Sequence, residues 1–211
     1  MRHICYNIRM DGKKGIYQEK IEKAINENNG IITTSYFKEN NIPRIYLTKM
    51  VKEGTLTRVG RGIYLCENGD YDDYYFFQLT YKNCIYSYTS SLYLHDLIDK
   101  IPEFKEITVY NNYNTSPFNK DVFVHYVKKE LFQVGITEVK TMFDNPVKVY
   151  DKERTICDLI KNRKDIESEI FVKALNNYMK RKDIKINKLI EYSKIFSIED
   201  KAVEILEVLY E

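Results

Sequence analysis

The sequence predicts an α+β chain, and three observations carry that reading. Apolar residues recur at helical spacing over 16–28 and again through 152–210. Short runs rich in Ile, Val, Thr and Tyr lie between them, bounded by Gly, Asn and Pro, as strands require. In the first 65 residues the two kinds of segment alternate, whereas later the strands come mostly first and helices finish the chain.

The elements follow in order. Ile16, Ile21, Ala24 and Ile25 mark a first helix over 16–28, with Gly30 placed as its C′ residue. Ile31 and Ile32 form a minor strand. Thr33 or Thr34 caps a second helix that runs to Glu39 or Asn40. Asn40, Asn41, Ile42 and Pro43 make a turn, and Pro43 suits the first position of a third helix that ends at Gly54. Residues 56–59 and 62–65 are then two strands about Gly60-Arg61, a hairpin.

Helix, turn, helix and hairpin in that order read as a winged helix-turn-helix. The charge agrees: residues 31–65 carry six Lys or Arg against two Glu, while the whole chain is only +2. Positive charge gathered on such a module is the footprint of a duplex binder. On a wheel of 43–53, Leu47, Met50 and Val51 form the core stripe, with Tyr46 packing at its edge. Arg44, Ile45, Thr48, Lys49 and Lys52 face outward. Arg44 suits a guanine edge, Ile45 a thymine methyl and Thr48 a base or phosphate. Lys49 and Lys52 suit phosphates. Arg58 and Arg61 sit where a wing meets the DNA backbone, and Thr34 and Ser35 begin a helix whose N–H groups can hold a phosphate. A solvated helix shows a similar charged face, and a winged helix can serve as a protein-binding module instead.

Composition sets further bounds. At 211 residues the chain holds one large domain or two small ones. No apolar run approaches the roughly 20 residues that span a bilayer, and 1–14 has no secretory pattern, so no membrane partner is expected. Cys5, Cys66, Cys84 and Cys157 are scattered, which fits reduced thiols better than zinc or disulfides. No Gly-rich phosphate loop is present, and neither cofactor nor metal is expected.

The acidic stretch 67–73 changes the charge sign, and the domains are placed at 1–70 and 71–211. In the second, 74–81 reads as a buried aromatic helix, 84–88 as a strand and 89–97 as a helix capped by Thr89 or Ser90. Residues 107–110, 122–127 and 136–143 are β-rich, with loops at 111–118 and 144–146. Asp151 caps a helix to about 162, and helices near 166–181, 186–196 and 198–210 form a helical tail.

The chain resembles the AbiEi antitoxins of bacterial abortive-infection systems. The hairpin LTRVGRGIYL carries the first part of the likeness. The segment YSYTSSLYLHDLIDKIPEFKEITVY carries the second, through Ser90, Ser91, Leu94, His95, Leu97 and Pro102. VYDKERTICDLIKN carries the third, through Tyr150, Glu153, Arg154, Thr155, Asp158 and Leu159, and FVKALNNYMKRKDIKINKLIEYSKIF has the helical layout of the family's end. The position after His95, often glycine in the family, is Asp96 here. The resemblance implies a cytoplasmic, non-enzymatic transcriptional autorepressor acting in phage defence. Its implied partners are operator DNA with inverted repeats and a nucleotidyltransferase-like toxin, countered by the second domain without a stable complex. With no dimerisation stripe visible, a monomer that pairs on DNA is expected.

Other constellations stand beside this. Asp121 with Glu138 and Lys140 has the acid…ExK form of a metal-dependent nuclease, although an exposed strand face gives the same letters. His95 has no partner at ligand spacing and reads as a helix histidine bonded to a carbonyl; His3 and His125 are remote in sequence. Arg154 and Asp158 form an i,i+4 ion pair or anchor their helix to a sheet. The basic clusters 161–164 and 180–182 fit solvated helix ends, or an extension of a nucleic-acid or toxin surface.

Overall fold

The computed structural model describes residues 14–118 and 120–210; His3 and Cys5 lie outside them. The chain is α+β with two sheets and divides into two compact units. The described part of the first unit is 14–82 together with 140–147, and that of the second is 83–139 and 148–210 without Asn119.

The first unit begins with α1 (Lys14–Glu27), β1 (Ile31–Thr33), α2 (Thr34–Glu39) and α3 (Ile45–Lys52). The strands β2 (Leu56–Gly60) and β3 (Ile63–Cys66) and the helix α4 (Asp73–Thr80) follow. The sheet is antiparallel in the order β1-β3-β2. Ile21 and Ile25 of α1, Phe37 of α2, Leu47 and Met50 of α3 and Leu56 of β2 are buried in one cluster. Each such side chain contributes about 1.5–3 kcal/mol of burial, so three short helices with little intrinsic stability are held by their shared core.

Two details of helix termination differ from expectation. Asn29, at φ +51°, takes the left-handed position after α1 that was expected of Gly30, and Gly30 follows at φ +86°. The amide of Gly30 donates to the carbonyl of Ile25, closing the helix end. Val51, expected in the core stripe, is 39 % exposed, because α3 has only Leu47 and Met50 turned inward.

Helix α4 belongs to the first unit, with Phe76 packed among Ile31, Ile63 and Leu65. Residues 140–147 supply polar partners within the same unit. Asp72, buried, caps α4 through the amide of Tyr75 and accepts bonds from Thr141 Oγ1 and Asn145 Nδ2. Asn29 Nδ2 donates to the Phe143 carbonyl at 3.1 Å and to Asn145 Oδ1 at 3.0 Å.

The second unit holds β4 (Ile85–Tyr86), α5 (Tyr88–Leu94), β5 (Lys105–Tyr110), β6 (Val122–Val127) and α6 (Lys129–Phe132). Then come β7 (Ile136–Lys140) and β8 (Pro146–Tyr150), of which Lys140, Pro146 and Val147 are counted with the first unit, and α7 (Lys152–Lys161), α8 (Ser168–Met179), α9 (Ile186–Ile195) and α10 (Glu199–Tyr210). The sheet order is β6-β5-β4-β8-β7, mixed, with β5 and β6 parallel and β4 antiparallel to β5. The expected β-run over 136–143 ends at Lys140, and a strand not expected, β8, begins at Pro146. Val147 and Val149 point inward and Lys148 outward, the alternation of a strand too short to stand out beside its proline. The main core joins α5, α7, α8, α9 and α10 through Leu92, Ile156, Leu159, Ala174, Tyr178, Leu189 and Ala202.

Candidate nucleic-acid interface

The α3 helix is amphipathic by construction. Leu47 and Met50 bury one side, so Ile45, Thr48, Lys49 and Lys52 are left in solvent. Arg44 is the residue before the helix, itself in helical conformation and exposed. Ile45 is 67 % exposed, a large apolar side chain with no cover of its own. Tyr46 is half-buried and packs on Tyr17 at 5.5 Å between ring centroids, which is a packing role.

The lysines differ from each other. Lys49 Nζ lies 3.5 Å from Glu53 Oε1, one turn along the helix. Lys52 is exposed at the end of α3. The ion pair is at the surface and worth little, so Lys49 is restrained rather than removed as a donor.

The β2–β3 hairpin turns through Arg61 and Gly62, one residue later than the expected Gly60-Arg61, because Gly62 takes the left-handed conformation at φ +76° while Gly60 stays in β2. A Cβ on Gly62 would lie 2.5 Å from Thr34 Oγ1, so glycine is required both by conformation and by closeness. Arg61 projects into solvent at that turn. Arg58 folds back along the hairpin, its Nε donating to the Gly60 carbonyl at 3.2 Å.

The start of α2 departs from its expected role. The Thr34 N–H donates to the Gly62 carbonyl at 2.8 Å, and the Tyr36 N–H donates to Thr33 Oγ1, which is the cap. Two donors at this helix end are thus committed to the fold, and the phosphate-holding role read for Thr34 is corrected: its amide ties α2 to the hairpin. Ser35 remains exposed in the first turn. Thr57, exposed on β2, escaped the sequence reading; the strand's alternation about Leu56 was the available signal.

The other candidates are placed by the second unit. Asp121 leads into β6 and Glu138 lies on β7, at opposite edges of a five-stranded sheet. Four strand spacings amount to roughly 19 Å, so the two carboxylates do not share a metal. Lys140 pairs with Asp144 at 2.7 Å. Among the described residues no cluster of three His, Cys, Asp or Glu is set to hold a metal.

The residues of the second and third resemblance blocks do converge. Ser91 Oγ donates to the Tyr150 carbonyl and lies 2.7 Å from Thr155 Oγ1, and His95 Nε2 is 2.8 Å from that same carbonyl. Glu153 accepts from the Tyr178 hydroxyl and the Lys185 amide. Asp96 has φ +56° and ends α5, the Leu97 amide bonding to the Leu92 carbonyl and the Asp96 amide to Tyr93. That is the left-handed helix ending in which glycine is favoured and aspartate tolerated.

In the basic clusters, Lys161, Lys164, Lys180 and Lys182 are exposed. Arg163 is tied to the Ile166 carbonyl and to Ser168, and Arg181 to Asp183 and the His95 carbonyl. No helix among the described residues is long and apolar enough to cross a membrane.

No curated protein matches the chain. The segment that holds most of α1 and continues through β1, α2, α3 and the hairpin does have a match, and it bears out the resemblance over that span: residues 19–65 match the family model described as transcriptional regulator, AbiEi antitoxin.

Proposed function

We propose that this chain is a DNA-binding transcriptional autorepressor and antitoxin, with 1–70 as the DNA-binding part and 71–211 as the antitoxin part. In this reading α2 and α3 form the helix-turn-helix and β2–β3 the wing. The observation that carries it is the outward side of α3: Arg44, Ile45, Thr48 and Lys52 stand in solvent within the segment that matches the regulator family. Arg44, Ile45 and Thr48 read base edges, Lys49 and Lys52 hold phosphates, and Arg58 and Arg61 place the wing on the backbone. Ser35, exposed in the first turn of α2, holds a further phosphate. The operator is an inverted repeat bound by two copies. The second partner is a nucleotidyltransferase-like toxin of an abortive-infection system, countered in the cytoplasm as a phage defence, and the chain itself performs no catalysis.

The test is an anisotropy titration on the DNA upstream of the chain's own gene, at two salt concentrations. Binding that weakens steeply with salt, and Arg44→Ala costing roughly 1–3 kcal/mol with relaxed sequence preference, is the expected result. Equal, weak, salt-insensitive binding to operator and random duplex would make the module a protein-binding one.

A further inference from the structure

We propose that the second unit binds a fatty acid in a cleft bordered by α7, α8 and α10, with the alkyl chain inside and the carboxylate at the rim. Helix α7 packs against both α8 and α10, and a cleft of about 750 Å³ is left open between those two. Its floor is apolar. Ile160, Phe171 and Leu175 are buried there as part of the main core, and Ile205 is half-buried beside them. Val172 on α8, 53 % exposed, and Val208 on α10, 69 % exposed, stand on its two sides. An apolar concavity of this size with a few polar groups at its edge has the form of a small-molecule site. The two uncovered valines are what a bound chain would cover.

The charge around the cleft selects the head group. Lys161, Arg163, Lys164 and Lys201 line it against only Asp165 and Glu204. Arg163 is fixed where rim and floor meet. Its guanidinium lies 4.4 Å from the centre of the Phe171 ring, while Nη1 donates to the Ile166 carbonyl and Nη2 to Ser168 Oγ, both at 3.0 Å. The rest of the guanidinium fork remains for an acceptor, and its shape matches a carboxylate. The side chains of Lys164 and Lys201 make no hydrogen bond or ion pair among the described residues, so an anionic head meets unpaired ammonium groups.

An alkyl chain suits the cleft better than a partner helix does. Three turns of helix, roughly 16 Å long and 10 Å across, take up about 1,300 Å³, more than the cleft holds. A neutral apolar ligand would leave the Arg163 fork and the lysines unanswered, and a free phosphate would leave the valines bare.

The experiment is isothermal titration calorimetry of the full chain with octanoate, decanoate and dodecanoate below their micelle concentrations, and with decanol as the uncharged control. One dodecanoate should bind per chain, and affinity should rise about fourfold per added CH₂ from octanoate upward. Decanol should bind about tenfold more weakly than decanoate, or weaker still. Val172→Asp with Val208→Asp, both at exposed positions, should abolish binding with unchanged circular dichroism. Lys164→Glu with Lys201→Glu should weaken decanoate about tenfold yet leave decanol unchanged, a split that a damaged cleft would not give. Affinity without chain-length dependence, equal binding of decanol, or binding that survives the two aspartates in a folded protein would each overturn the proposal. So would failure of dodecanoate to bind at about 1 mM, uptake of an acidic amphipathic peptide in its place, or binding confined to phosphatidylglycerol vesicles. DNA binding enters none of these readouts, so they stand apart from the repressor reading.

Discussion

Arg154 donates from Nε to Asp158 Oδ2 at 2.9 Å with both side chains buried. The i,i+4 spacing gives the pair, but its surroundings decide what it does. The guanidinium also donates to the Leu131 and Val134 carbonyls and lies between the rings of Tyr150, at 4.2 Å, and Phe196, at 4.0 Å. Burial raises the Asp158 carboxyl above its ordinary pKa against the pull of Arg154. Removing one partner leaves the other charge buried. Arg154→Ala should therefore destabilise the second unit by roughly 3–5 kcal/mol, and Arg154→Met with Asp158→Leu by less than the sum of the single changes. Urea denaturation of Arg154→Ala, of the two single changes and of the double variant measures this.

Glu53 restrains Lys49 and places a negative charge on the proposed DNA face. Glu53→Gln should raise DNA affinity a few-fold and steepen the log–log salt dependence by at most about one phosphate's worth. The same anisotropy titration reads both. Unchanged affinity would mean that the end of α3 stays off the phosphates.

Asp72 is buried, and its carboxylate is satisfied by the α4 amide of Tyr75 and by Thr141 and Asn145. Asp72→Ala should cost roughly 1–3 kcal/mol of first-unit stability, because Asn145 then loses its acceptor. A fragment ending at residue 82 should be less stable than the same unit in the whole chain, since it lacks 140–147. Hydrogen exchange of α4 amides in both proteins measures the difference.

Burial pushes the thiols of Cys84 and Cys157 up to about 12. Neither should react with a disulfide reagent at pH 8 while the chain is folded, and both should react at once in guanidinium. Counting modified cysteines by mass in a Cys5→Ser background tests this.

Burial lowers the folded-state pKa of His95, with the Tyr150 carbonyl opposing the shift. Near and below the ordinary value of 6.5 the unfolded chain therefore binds more protons than the folded one. The contribution of this site to stability is complete above that pH and is lost as pH falls through it. His95→Gln should flatten this part of the stability profile between pH 7 and pH 5, measured by denaturant midpoints.

Much of the architecture is a local property of the sequence. The periodicity of Ile21, Ala24 and Ile25, the cap at Thr33 and the turn before Ile45 depend on residues a few positions apart, so the chain alone gives them. The outward side of α3 is legible for the same reason: once Leu47 and Met50 are buried, the wheel leaves Ile45, Thr48, Lys49 and Lys52 outside. Only the tertiary structure decided the rest, because it depends on residues far apart in sequence. It tied the Thr34 amide to Gly62, joined 140–147 to the first unit through Asp72, and set Asp121 and Glu138 at opposite sheet edges. It also drew Ser91, His95, Tyr150 and Thr155 together, and left β6 at an edge. No helical or strand periodicity reports which strand is last in a sheet, since that order is set by the packing of all the strands together.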